Sequence, residues 1–130
     1  MSVSTKIETS YSIIEIKDDI VYTTIKEGAE LGIEEIKEGI KIRNELQEGQ
    51  PMLTLTDIRN VYSITNEARE FAAKSKENAA LIIATAILTD SLSTKMMANF
   101  FIRFSKPITP YKAFKNKEKA IEWLRSFKKD

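Results

Sequence analysis

Met52-Leu53-Thr54-Leu55-Thr56-Asp57, running on into Ile58-Arg59-Asn60-Val61-Tyr62-Ser63-Ile64-Thr65-Asn66-Glu67-Ala68-Arg69, decides how this chain folds. Apolar residues alternate as far as Asp57, a short polar loop follows, and a helical pattern opens at Asn66. That is how α/β proteins build sites at the carboxyl ends of their strands. Upstream, Tyr11 to Lys17 and Ile20 to Lys26 are rich in Ile, Val, Thr and Tyr, and only Asp18-Asp19 separates them, which predicts an antiparallel hairpin. Asp-Asp is a poorer turn former than Asn-Gly. From Glu30 to about Gln47, Ile33, Ile36 and Ile40 recur at helical spacing among Glu and Lys, so this segment reads as an amphipathic helix. Gly39 weakens it by about 1 kcal/mol relative to Ala, and Gly49 and Pro51 end it.

Downstream, a short helix spans Asn66 to about Lys74, with Ala68, Phe71 and Ala72 on one face. Ala79 to Leu88 is the least polar stretch and suits a strand covered on both sides. Asp90 and Ser91 cap a helix that runs to about Phe104, and Pro107 and Pro110 stop it. Tyr111 to Phe114 reads as an edge strand, and Asn116 opens a last helix with Ala120, Trp123, Leu124 and Phe127 inward. The expected order is ββαβαβαβα. This is an α/β fold whose mixed, mostly parallel sheet opens on an antiparallel hairpin and carries helices packed on it. Residues 1–10 read as a flexible segment and residues 11–130 as a single domain.

Composition narrows the chemistry. The chain has 130 residues, of which 42% are hydrophobic, and twenty Lys and Arg nearly balance nineteen Asp and Glu. No net field draws it to nucleic acid, so no nucleic-acid partner is expected. Cysteine and histidine are both absent, which removes disulfides, Ser-His-Asp and Cys-His nucleophilic machinery and nearly all transition-metal sites. No cofactor, metal or catalytic residue is expected. A carboxylate pair such as Asp57 with Asp90 would need a convergent, perturbed site to do acid–base work. There is no signal-like amino terminus and no run long enough to span a bilayer, so the expectation is a cytoplasmic protein without integral membrane association. Basic residues concentrate from Lys106 to Lys129 and acidic ones from Glu27 to Glu48, a pattern that suits solvated helix faces.

The element order, the Asp57-Ile58-x-x-Val61 loop and the closing Ala120-Ile121-Glu122-Trp123-Leu124 resemble the STAS domain family, the SpoIIAA-like fold of anti-sigma-factor antagonists. Phe114, followed after five residues by Ala120 and then Trp123-Leu124, is similar to the tail of an uncharacterised bacterial branch often labelled STAS/SEC14-like. In the antagonists, an acid at a strand end precedes a loop and an Asp-Ser-Ser-Gly sequence whose first serine is phosphorylated. The resemblance lays Thr65 on the aspartate, Asn66 on the acceptor serine, Glu67 on the next serine and Ala68 on the glycine. The acceptor hydroxyl is thus missing, with Thr65 and Ser63 the nearest substitutes.

Two site readings follow. If the strands before Asp57 and Asp90 are parallel neighbours, then Asp57, Asn60, Thr65, Asn66, Arg69, Asp90 and Ser91 lie at one end beside two helix amino termini. Such a place can hold a phosphate or carboxylate, with Arg69 or Lys95 as counter-charge. The alternative is that Thr65, Asp90 and Ser91 are caps and Asp57 bonds its own loop. On the helix after Ser91, Leu92, Met96 and Phe100 form one apolar stripe, and Met97, Phe101 and Phe104 form another about 100° away. Met96, Met97, Phe100, Phe101 and Phe104 are therefore interface candidates for an unidentified protein partner or a homodimer, the alternative being a wide core-facing helix.

Overall fold

The computed structural model describes residues 5–127, which leaves Lys128 and Lys129 of the basic run outside the described residues. Six strands form the main sheet in the order β1-β2-β3-β5-β7-β8. The hairpin is β2 (Ser12–Lys17) and β3 (Ile20–Ile25), paired antiparallel from Ser12↔Ile25 to Lys17↔Ile20. Asp18 and Asp19 both take positive φ, 52° and 66°, the backbone of a type I′ turn, which Asp tolerates better than most residues. From β3 onward every neighbour is parallel: β5 (Met52–Asp57), β7 (Ile82–Leu88) and β8 (Tyr111–Phe114).

Four expectations need correction. Within the segment read as flexible, Thr5–Glu8 forms β1, which pairs antiparallel with β2 and covers that strand's open edge. A Lys26–Glu8 ion pair of 2.6 Å fastens it. Glu30–Leu31 is not helical; it is strand β4, paired with β6 (Ser63–Ile64), and helix α1 begins at Ile33 and ends at Gln47. Glu35 Oε1 accepts the Gly32 N–H at 2.8 Å, fixing that start. Ala79 and Ala80 close a short helix, α3 (Lys76–Ala80), because Ser75 Oγ caps it through the Asn78 N–H; the strand starts at Ile82. The helix expected to reach Phe104 is α4 (Leu92–Phe100) followed by a π-helical turn, Phe101–Ser105. The remaining helices are α2 (Asn66–Lys74), with Thr65 as its N-cap, and α5 (Lys117–Arg125), with Asn116 as its N-cap.

Alternation along the strands splits the core in two. Ile20, Leu53, Leu55, Ala84, Ala86 and Leu88 face Ala120 and Leu124 of α5, with Trp123 and Phe127 packed alongside. The opposite cluster of Ile25, Leu31, Ile58, Ile87 and Ala98 gathers Ile36 of α1 and Met97 and Phe101 of the α4 segment.

Candidate functional site

β5 and β7 end in register, Asp57 opposite Leu88, and the Ile58 N–H donates to the Leu88 carbonyl at 3.1 Å. The segments after the two strands therefore emerge side by side, as the sequence predicts. The polar residues there are engaged locally. Asp57, buried, accepts from the Arg59 backbone N–H and Nε at 3.0 Å each, and pairs with Arg59 Nη2 at 2.8 Å. Its hydrogen bond and charge raise the Arg59 guanidinium above its ordinary range, and Asp90 adds to this. Arg59 is absent from the sequence candidates; a basic residue two positions past a strand-end acid was the available signal. Asn60 lies exposed, with its carbonyl accepting the Gly28 N–H at 3.0 Å. Gly28 takes φ 77° there, a conformation open to glycine.

Thr65 Oγ1 caps α2 through the Ala68 N–H at 3.1 Å, and Asn66 Oδ1 accepts from Arg69 Nη2. Arg69 also donates to the Ile64 carbonyl at 2.8 Å and lies over the Phe100 ring at 5.1 Å. Ser91 caps α4 through the Thr94 N–H at 3.1 Å, while Thr94 Oγ1 accepts from the Ser91 N–H at 3.2 Å. Asp90 is exposed, its N–H held by Thr94 Oγ1 at 3.2 Å. Six of the seven candidates form two groups: Asp57, Asp90 and Ser91 lie at the ends of the paired strands, and Thr65, Asn66 and Arg69 sit at the start of α2, beside the far end of α4, while Asn60 joins neither and holds Gly28.

The two apolar stripes also separate. Met97 and Phe101 pack into the core. Leu92, Met96, Phe100 and Phe104 are exposed, at 74, 62, 46 and 61% of their surface. Phe104 stands four residues past Phe100, the spacing of neighbours on a helix, and its ring stacks under that of Phe100 with centroids 4.8 Å apart. Ser105 is carried to a wholly buried position, where its Oγ donates to Glu70 Oε2 at 2.8 Å.

Between the sheet and α1, α2 and α4 lies a cavity of about 200 Å³. Ile36, Gly39, Ile40 and Arg43 line it along one side of α1, with Thr54, Thr85, Ile87 and Tyr111 on the sheet below and Ala68, Ala72, Met97 and Phe101 opposite. Its polar end is Arg43, 6% exposed, which donates through Nη1 to Gln47 Oε1 and through Nη2 to Asn78 Oδ1 and, at 3.3 Å, to the Asn78 carbonyl. Gln47 Nε2 is spent on the carbonyls of Gln50 and Leu81, at 2.8 and 2.7 Å. The Thr54 and Thr85 hydroxyls bond each other at 2.6 Å. Burial pulls the Arg43 guanidinium down to about 10, so it stays charged at neutral pH; burial raises the Tyr111 phenol, against hydrogen bonds from Thr85 and Asn78 and the charge of Arg43. The ion pairs among the described residues leave Arg43 without a carboxylate.

Residues 14–128 match the model of a family described as a domain of unknown function, DUF7793. Comparison with curated proteins gives no match. Among solved structures, the chain is similar to an uncharacterised protein of the DUF3478 family with a SpoIIAA-like fold from Shewanella loihica PV-4, at 18% identity and a TM-score of 0.58, covering 95% of this chain and 97% of that one. The fold is SpoIIAA-like.

Proposed function

The chain belongs to the family described as a domain of unknown function, DUF7793, and from that premise we propose a non-enzymatic, SpoIIAA-like regulatory domain that works by contacting protein, first of all a second copy of itself. The outward stripe of α4 carries this reading. Leu92, Met96, Phe100 and Phe104 recur every four residues and leave four large apolar side chains in water, an arrangement that single scattered surface residues do not produce. A helix face of this kind is self-complementary under a two-fold axis, with Leu92 of one copy approaching Phe104 of the other. Arg69 and Arg103, over the Phe100 and Phe104 rings, supply the cationic rim that interface aromatics favour.

The lack of a phosphoacceptor at Asn66 supports regulation by association rather than by phosphoryl transfer. The competing reading places an anion between the Asp57 loop and the start of α4. It has to displace two carboxylates from the neighbourhood of Arg59, which weighs against it. Light scattering on a size-exclusion column tests the proposal. The wild-type chain is expected to elute with a dimer's mass and Phe100→Asp with a monomer's, both with the same circular dichroism. A wild-type monomer at every concentration, together with a thermal shift from phosphate or a dicarboxylate, would favour the anion site instead.

A further inference from the structure

The cavity under α1 has a shape and a charge that the association of copies does not use. Ile36, Gly39, Ile40 and Arg43 fall on one stripe of α1, and at 1.5 Å per residue they span about 10 Å. A volume of about 200 Å³ beside that stripe makes a channel lined mostly by apolar side chains, which suits one flexible hydrocarbon chain. An apolar cavity of about 150 Å³ holds the six carbons of benzene, so this one takes about eight to ten heavy atoms. Gly39 keeps the channel open, since a Cβ built there would meet nothing within 4 Å.

The ends differ. Toward the carboxyl ends of the parallel strands the walls are Leu31, Ile58, Ile64 and Met97, with Glu35 and Tyr11 beside the first turn of α1 and Arg69 at the start of α2. Glu35 already accepts the Gly32 N–H, and Arg69 is held by Asn66 and the Ile64 carbonyl. At the other end Arg43 is a buried cation whose partners are all neutral amide oxygens, with the Thr54, Thr85 and Tyr111 hydroxyls nearby. Burying a guanidinium without an acid is costly, and a bidentate carboxylate is the group that best relieves it.

We propose that this cavity is a binding site for a linear aliphatic carboxylate of medium chain length, its carboxylate seated on Arg43 and its chain running along Ile40, Gly39 and Ile36 toward Leu31, Ile58 and Met97. The observation is independent of the α4 stripe, so either proposal can fail alone.

Isothermal titration of the full chain with sodium octanoate, and separately with 1-octanol, tests it. Octanoate is expected to bind saturably with one site per chain, and more tightly than octanol. Arg43→Met should weaken octanoate at least about tenfold, the worth of a charge-assisted hydrogen bond, and leave octanol within about twofold. Gly39→Leu, whose side chain enters the open space, should weaken both ligands about tenfold or more while circular dichroism shows an intact fold. A purely structural Arg43, tying α1 to α3 through Asn78, would not separate the acid from the alcohol. No saturable heat with millimolar octanoate, or octanoate binding that is unchanged in both variants, overturns the proposal.

Discussion

Gly39 is where a single residue says most about the interior. Glycine inside a helix costs about 1 kcal/mol relative to alanine, and here no neighbour would resist the added methyl. Gly39→Ala is therefore expected to stabilise the fold by about that much, read as a higher urea midpoint at an unchanged m-value. Four side chains set the alkaline limit of the fold. Burial raises the phenols of Tyr11, Tyr22 and Tyr111, helped at Tyr11 by the hydrogen bond to Glu38 and at Tyr22 by Asp18. A phenol raised by folding keeps its proton after the unfolded chain has lost it, so its stabilising contribution is complete below about pH 10 and is lost as pH rises further. Arg43 has the opposite sign. Its folded value of about 10 lies below that of the unfolded guanidinium, so the fold sheds an unfavourable charge as pH climbs past about 10. The phenols and the guanidinium therefore act in opposite directions above about pH 10, and Tyr111→Phe, which removes one of the phenols, should lose less thermal midpoint than the wild type as pH rises past about 10 in a series followed by circular dichroism.

Among the elements, α4 with its π turn carries the most consequence. Ser91 and Thr94 satisfy each other and the first backbone donors of the helix, so Ser91→Ala is expected to cost about 1 kcal/mol in chemical denaturation. Ser105 at the end of the π turn holds Glu70 through its hydroxyl and accepts Lys74 Nζ on its carbonyl at 2.7 Å, tying this segment to α2. Which elements could be read from sequence follows from length and period. Asn66–Lys74 and Tyr111–Phe114 have a cap or a proline at their start and a clear apolar period, and their structural bounds equal the predicted ones. Glu30–Leu31 and Ser63–Ile64 are two residues each, too short to show any period, and their pairing depends on a contact more than thirty residues distant. The last two residues of Lys76–Ala80 belong to an apolar run, so that helix shows only once Ser75 is read as its cap. Phe104 pairs with Phe100, four residues before it, rather than with Phe101, three before it; both spacings bring side chains together on a helix, so the local pattern does not choose between them.

At the scale of the molecule, the face of the sheet under α1, α2 and α4 holds a cavity of about 200 Å³, and no sequence pattern announces this. Ile36 and Ile40 read as the apolar face of an amphipathic helix and Met97 as an interface candidate, and the signals of a space are Gly39 and Arg43 on an otherwise apolar helix stripe. The element order and the neighbouring strand ends were legible because alternation and caps are local; whether facing layers meet is a property of volumes summed across the fold. That difference yields a paired expectation. Ala120 of α5, wholly buried in the cluster of Leu53, Leu55 and Leu88 and not among the residues that line the cavity, should overpack as Ala120→Leu and cost about 1–3 kcal/mol. Ala72 occupies the equivalent helical setting on α2 but faces the cavity, where added methyl groups replace empty space, so Ala72→Leu should be neutral or stabilising by about 1–2 kcal/mol. Urea denaturation of the two variants decides the matter, since equal losses would mean that the layers are equally filled. If the expected asymmetry appears, Ala72→Leu should also weaken octanoate. A chain that keeps such a space open then gives up stability that a single side chain could restore, as functional cavities do.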